Sequence, residues 1–465
     1  MQRTPEQVSI CEAFVSGANV MVQALAGVGK STTMVEVVKD LPRSKSVGLI
    51  VFNKKAKEDL EKKLAVENLP HAKVYTANGL GHKALFQAGV RPTLDTDKIF
   101  KLAKEVGLRR DDLSDCMALV RSARMAGIVP SGLAGKGILP DTVETWGELC
   151  ADEFIDPILI TPARDILRKS TKLALTGTID FDDQIYITAC IFGAFPKFDV
   201  TLVDEAQDLA PLNHIQVRKA ARGQIGAVGD NHQAIYAFRG ADMHSMANLR
   251  LLRPEWSEQT LSVTYRCPRV VVERQREFVP LFQAGPDNLE GLIESLSEWT
   301  PKPNSAVLCR NNAPLISLAF RLLRKRIPVN LLGRDIGKEM KRLWNKLSNH
   351  GKRSVDSTIA EAQRLREIEP KKADKYNSLI VVLQNTRNIE EMEAFLKESR
   401  NAITLATGHK AKGLEWDTVY HLEPGLIPSQ HAETEEELQQ EYNLRYVIET
   451  RTRNELFFVR LGGLQ

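Results

Sequence analysis

Residues 24–31, Ala24-Leu25-Ala26-Gly27-Val28-Gly29-Lys30-Ser31, place two glycines, a lysine and a hydroxyl between an apolar stretch and a helical one. Such a loop suits phosphate. Glycines let backbone N–H groups curl around phosphate oxygens, and the start of a helix adds a favourable dipole. Lys30 is expected to reach the β- and γ-phosphates of a nucleotide, with the Ser31 hydroxyl on Mg2+. Ala24 stands where this pattern ordinarily has its first glycine. The plain alternative is a glycine turn before a helix; the expected strand before the loop and helix after it favour the nucleotide.

A second group, Leu202-Val203-Asp204-Glu205-Ala206-Gln207-Asp208, ends another apolar stretch. One carboxylate at a strand tip can hold Mg2+ while its neighbour polarises a water for in-line attack on a γ-phosphate. Asp204 is assigned to the metal and Glu205 to the general base. Adjacent acids alone are usually a strand end meeting solvent. Beside a phosphate loop they imply hydrolysis.

These groups need a scaffold. The chain has 465 residues, of which 43% are hydrophobic and 26% charged, ordinary for a soluble globular protein and enough for two to four folded units. Short strands are expected at Val20–Gln23, Ser46–Phe52, Ala72–Thr76, Val200–Val203 and Gln224–Val228, with a helix over Ser31–Lys39. Buried strands separated by helices indicate a parallel sheet covered on both faces. From about His82 to Gly177 the pattern is amphipathic helix, as in Thr96–Val106 and Asp112–Met125, which reads as an insertion. A second αβ region is expected from near Leu261, with strands at Ala306–Cys309 and Ile403–Ala406 and a charged helical segment at about Gly337–Ser399. The acidic run Glu433–Glu441 reads as a solvated loop or helix start.

Charge is nearly balanced, 63 basic against 59 acidic side chains for a net +4, so any nucleic-acid groove must be a local patch. Six scattered cysteines suggest neither a zinc site nor a disulfide framework. The N-terminus carries no signal-peptide pattern and no apolar run is long enough for a bilayer. A soluble, intracellular, cytoplasmic protein is expected, with no membrane partner.

The acidic segment 204–208, followed by Val228-Gly229-Asp230-Asn231-His232-Gln233-Ala234-Ile235-Tyr236-Ala237-Phe238-Arg239-Gly240-Ala241, resembles the UvrD/Rep-type superfamily 1A DNA helicases. Other segments follow in the family's order. Thr4-Pro5-Glu6-Gln7 is similar to the Q motif, Phe52-Asn53-Lys54-Lys55-Ala56 to motif Ia, and Thr76-Ala77-Asn78-Gly79-Leu80 stands at the next DNA-contact motif. Asp180-Phe181-Asp182-Asp183 resembles the acidic-aromatic signature before motif II. Val263-Thr264-Tyr265-Arg266 resembles motif IV, with Ala306–Asn311 matching the strand after it; Thr407–Trp416 resembles motif V and Tyr446–Arg451 motif VI.

The resemblance implies an α/β fold of two RecA-like P-loop domains with helical insertions. The first would comprise residues 1–84 and 178–255, with insertion 85–177; the second 256–336 and 400–465, with a reduced insertion 337–399. It implies ATP in the cleft between the two, cradled by Ala26, Gly27, Val28, Gly29, Lys30 and Ser31. By the same resemblance Gln7 reads the adenine edge, Tyr265 stacks on the base, Glu415 contacts ribose and Gln233 senses the γ-phosphate. Arg266 and Arg451 stabilise the transferring phosphoryl group, a task suited to a planar, permanently charged guanidinium. Thr32 replaces an arginine common near the ribose or base, Phe238 a common tryptophan and Trp416 a common phenylalanine.

Single-strand binders combine a basic backbone track with aromatic platforms. Candidates are Phe52, Lys54, Lys55, Thr76, Asn78, Tyr236, Phe238, Arg239, Lys410 and Lys412, though Phe52 could equally belong to the core. The implied activity is an ATP-driven, Mg2+-dependent 3′–5′ translocase and helicase acting on single-stranded DNA and its junctions with duplex, with a monomer as the working expectation. The alternative is a translocase that displaces proteins without unwinding duplex unaided. A nucleotide-gated binding module is disfavoured by Glu205, Gln233 and Arg451, and a small-molecule P-loop kinase by motifs IV to VI. Little chain follows motif VI, so no fused nuclease is expected.

Overall fold

The computed structural model describes residues 3–108, 112–153, 155–236, 242, 244–332, 334–349, 351–386 and 402–465. The chain forms two compact units. One comprises residues 1–24, 29–231 and 236–261; the other, residues 25–28, 232–235 and 262–465.

The first unit is built on six parallel strands: β1 Asn19–Ala24, β2 Val47–Val51, β3 Ala72–Thr76, β4 Phe198–Val203, β5 Ala221–Gly229 and β6 Trp256–Leu261. Their spatial order is β3-β2-β4-β5-β1-β6. Central strands of a parallel sheet are covered on both faces and therefore read as continuous apolar runs. All five residues of β2, Val-Gly-Leu-Ile-Val, are buried. The sheet's order puts β5 between β1 and β4, so these strands bring the phosphate loop, Asp230 and Asp204 to one edge. In open parallel sheets, ligands gather at the strands' carboxyl ends.

The first sheet runs past the expected boundary at residues 255/256. Trp256–Leu261 pairs along its whole length with β1, from Asn19↔Trp256 to Ala24↔Leu261. An edge strand is covered on one side only, so its residues are mostly half-exposed and its Trp-Ser-Glu-Gln-Thr-Leu sequence lacks the apolar run of β2.

Between β3 and β4 run helices Lys98–Glu105, Asp112–Met125, Val143–Glu153 and Ile160–Leu175, packed around Trp146, Leu119, Ile166 and Ile187. A short parallel ladder, Thr93–Leu94 on Thr178–Ile179, ties the two ends of this excursion together. Beneath it lies a buried ionic cluster: Lys98 pairs with Asp183, and Arg124 with Asp180 at 2.8 Å.

The main sheet of the second unit has six parallel strands: β7 Leu292–Leu296, β8 Ala306–Cys309, β9 Val329–Leu331, β10 Ile403–Thr407, β11 Trp416–Leu422 and β12 Thr452–Val459. Their order is β7-β12-β11-β8-β10-β9. Helices Arg334–Leu347, Val355–Ile368 and Ala373–Asn385 lie between β9 and β10. The acidic run does start a helix, Glu435–Glu449, through a Thr434/Glu437 capping box. Glu441 within it is not solvated: it is buried, and Arg310 binds both its oxygens at 2.7 and 2.6 Å. All six cysteines are free and buried. Among the described residues no helix is long and apolar enough to cross a membrane.

Close helix packing in the first unit depends on Gly81, in helix Ala77–Gln87. A Cβ there would lie 1.7 Å from the backbone oxygen of Gln184, in helix Asp183–Cys190. Gly81→Ala is therefore expected to destabilise the chain by about 1–3 kcal/mol, the usual cost of overpacking. Urea unfolding checks this; an unshifted midpoint would show that the two helices part freely.

Candidate nucleotide and DNA site

The phosphate loop leaves β1 with two glycines in left-handed backbone, Gly27 at φ 73° and Gly29 at φ 82°. Side chains rarely tolerate that conformation, so the glycines are required there. Helix Lys30–Asp40 follows directly, and no side chain caps its N-terminus. Its first-turn N–H groups are the kind of donors that bind phosphate.

Across the sheet edge, β4 is followed by Asp204, buried, and by Glu205, held in left-handed backbone at φ 49°. The Lys30 ammonium lies 3.1 Å from a Glu205 oxygen. The other Glu205 oxygen accepts from Gln207 Nε2 at 2.6 Å, and Gln207 Oε1 in turn accepts from Asp230 N at 3.0 Å. Gln23, on β1, donates to Asp230 Oδ1 at 3.0 Å. One polar chain thus links the ends of β1, β5 and β4. Gly229 leaves room for it, since a Cβ there would sit 2.7 Å from Gln207 Oε1.

Electrostatics follow from this crowding. Burial pulls the Lys30 ammonium down, but the carboxylates of Glu205, Asp204 and Asp230 outweigh it and leave its pKa raised. Burial and then repulsion from Glu205 push the Asp204 carboxyl up to about 6, against the pull of Lys30. A divalent cation is the natural relief for such a carboxylate. The donor set fits Mg2+, which takes one or two protein oxygens and completes its shell with water and phosphate. Ser31 opens the adjoining helix and Asp204 follows the strand, and such a site needs no larger cluster of acids.

Within the second unit, Gly27 O accepts from Tyr265 N at 2.9 Å, and Ala26 N donates to the Tyr446 hydroxyl at 3.0 Å. A Cβ on Gly27 would meet the Cβ of Arg266 at 2.6 Å. Gln233 Oε1 accepts from Arg451 Nη2 at 3.3 Å. Arg451 is buried, and its Nε donates to Val447 O at 2.8 Å. Lys412 donates to the Gln233 backbone oxygen at 2.6 Å. Arg266 and Glu415, expected on phosphate and ribose respectively, are hydrogen-bonded to each other at 2.5 Å.

The remaining expected residues divide clearly. Gln7 closes a capping box with Thr4 and donates from Nε2 to Thr33 Oγ1 at 3.1 Å. Thr32 and Tyr265 are exposed, and Val28 is buried. Phe52 is no core residue: it is 45% exposed and stacks on Tyr236 with ring centroids 5.8 Å apart and planes 8° from parallel. Lys54 and Lys55 begin helix Lys54–Val66 and are exposed. Thr76 caps helix Ala77–Gln87, and Asn78 donates to the backbone oxygen of Phe181 at 2.7 Å. Lys410 is half-buried in the short helix Gly408–Ala411. Phe238 and Arg239 lie outside the described residues.

Sequence reasoning missed the supporting glutamines Gln23 and Gln207 and gave Asp230 no role. The signal for Gln23 was a polar residue near the end of an otherwise apolar strand.

Comparison with known proteins points to one helicase family. The UvrD/REP helicase N-terminal domain family matches residues 166–251, and the UvrD-like helicase C-terminal domain family residues 339–461. These matches support a UvrD/Rep-type superfamily 1 helicase. Among curated members, F-box DNA helicase protein 1 of Schizosaccharomyces pombe is 25% identical over 97% of this chain and 57% of its own length. ATP-dependent DNA helicase UvrD1 of Mycobacterium leprae is 26% identical over 54% of this chain and 36% of its own. ATP-dependent DNA helicase UvrD2 of Mycobacterium tuberculosis is 24% identical over 59% and 50%. The chain spans about a third to little more than half of the length of those relatives.

The charge balance at the sheet edge is testable. Lys30→Met removes the cation that offsets burial and Glu205 at Asp204, so the Asp204 pKa should rise above its value of about 6. A carboxyl NMR titration of metal-free protein measures this. No change would mean that the ammonium does not act on Asp204.

Proposed function

We propose that this chain hydrolyses ATP to move along single-stranded DNA and to separate duplex ahead of it, in the 3′–5′ direction. The observation that carries the reading is the Lys30–Glu205–Gln207–Asp230 cluster beside a left-handed glycine loop. The family matches and the stack of exposed Phe52 on half-buried Tyr236 support DNA as the track. We assign residues 85–177 and 337–399 to insertions in two RecA-like domains, the first of which continues through Leu261.

In this mechanism Lys30 has two partners. Bonded to Glu205, it keeps that carboxylate neutralised. A γ-phosphate draws the ammonium away, and Glu205, oriented by Gln207, is then free to take a proton from the attacking water. Ser31 and Asp204 would hold Mg2+, which would supply charge neutralisation to the phosphates. Arg266 exchanges the Glu415 carboxylate for a phosphate oxygen, while Arg451, already on Gln233, meets the charge developing on the transferring phosphoryl group. Loss of the γ-phosphate releases these contacts and lets the grip on DNA change. Phe52 and Tyr236 offer a flat surface worth about 1–3 kcal/mol per stacked base, enough to hold a base and weak enough to let it go.

Duplexes bearing a 3′ or a 5′ single-stranded tail test activity and direction together. Unwinding of the 3′-tailed duplex alone is expected; preference for the 5′ tail would refute the polarity. DNA-stimulated hydrolysis without unwinding would favour a translocase that displaces proteins. Glu205→Gln should retain ATP binding while turnover falls by about 10²–10⁴-fold. Rapid turnover in that variant would remove Glu205 as the base. Raising salt should weaken DNA binding steeply, through release of counterions from phosphate contacts. A flat response, read by fluorescence anisotropy, would argue against a basic track.

A further inference from the structure

Motif VI contains a buried ionisable group that the mechanism above leaves unused. Glu449 is the last residue of helix Glu435–Glu449, is 1% exposed, and stands two residues before Arg451. A carboxylate at a helix C-terminus faces the negative end of the helix dipole, and burial adds desolvation. An apolar side chain of similar size would fill this place without either cost. The charge therefore needs an explanation.

Its partners supply one. Arg274 donates to Glu449 Oε2 from Nε at 2.8 Å and to Oε1 from Nη2 at 3.4 Å, and Gln275 Nε2 donates at 2.5 Å. His421 of β11 stands 3.8 Å away, beyond hydrogen-bond reach. Burial pushes the Glu449 carboxyl up, yet His421 and the Arg274 guanidinium outweigh it and hold it below the ordinary glutamate value. Arg274 is further fixed over the Phe458 ring at 4.7 Å.

Arg274 and Gln275 end helix Arg269–Gln275, which begins just after Arg266. Cys267, beside Arg266, approaches Thr450 O with its Sγ at 3.5 Å, and Thr450 Oγ1 accepts from Arg451 at 3.1 Å. We propose that Glu449 is a positioning residue that clamps the segment bearing Arg266 to the helix end bearing Arg451. The two guanidiniums are then carried on one rigid block. This inference rests on the ATPase reading above.

The test compares Glu449→Gln, Arg274→Gln and the double variant in DNA-stimulated ATP hydrolysis, with thermal melting as the check on folding. Glu449→Gln keeps size and loses charge; Arg274 is 41% exposed, so its replacement leaves the core intact. Each single variant should lose at least about tenfold in kcat, since small displacements of aligned groups are costly, with ATP KM within about twofold. The double variant should lose no more than the worse single one, because both remove the same contact. Unchanged kcat in both singles, multiplying losses in the double, or a loss carried by KM would overturn the proposal. If Glu449→Gln fails to fold, Arg274→Gln decides by the same split between kcat and KM. Absence of DNA-stimulated turnover in the unaltered chain would refute the ATPase reading itself, and this inference with it. Normal turnover there beside unaffected variants refutes this inference alone.

Discussion

Three like charges and one opposite charge share a small volume at the carboxyl edge of the first sheet. Asp204, Glu205 and Asp230 all act on the Lys30 ammonium, and burial opposes the charges of Lys30 and Asp204. Such a group is tolerable only if each charge is paired or hydrogen-bonded. Much of the surrounding structure serves that requirement. Gln207 satisfies one Glu205 oxygen, Gln23 satisfies Asp230, and Gly229 stays bare so that Gln207 fits. The left-handed backbone at Glu205 is a strain of the kind that surrounding contacts hold in place at functional sites.

How much of this could be read from sequence depends on where each residue's role originates. Central strands were visible because double-sided burial demands apolar runs; β3 and β8 match their expected limits, Ala72–Thr76 and Ala306–Cys309. Strand β6 was missed because an edge strand shows no such run. Strands β11 and β12 were missed for a different reason: residues such as Asp417, Arg453 and Glu455 interrupt their apolar pattern.

The site shows the same division. Lys30, Asp204 and Glu205 are legible because the chemistry dictates residue type at a fixed place in the chain, and the fold brings them together. The roles of Gln23 and Gln207 depend on how strands β1, β5 and β4 are ordered in the sheet, and no local pattern encodes that order. Pairing of Arg266 with Glu415 spans nearly a hundred and fifty residues of chain and is invisible for the same reason. Phe52 illustrates an ambiguity that burial alone resolves: its neighbours in β2 are apolar, yet it lies just beyond the strand and turns outward onto Tyr236.

The two sets of polar contacts differ in what they hold still. The Gln23–Asp230–Gln207–Glu205 chain closes within the first unit, so Glu205 keeps its orientation by contacts of that unit alone. The Arg274–Glu449 and Arg451–Gln233 contacts close within the second. Catalysis by fixed charges requires groups that need no rearrangement when the transition state forms. Under the proposed function, a motor must also let go after every turnover. Networks that close inside each unit meet the first demand, because each unit holds its own charged groups still. Under the same proposal two contacts meet the second demand by yielding to phosphate: Lys30 with Glu205 in the first unit and Arg266 with Glu415 in the second.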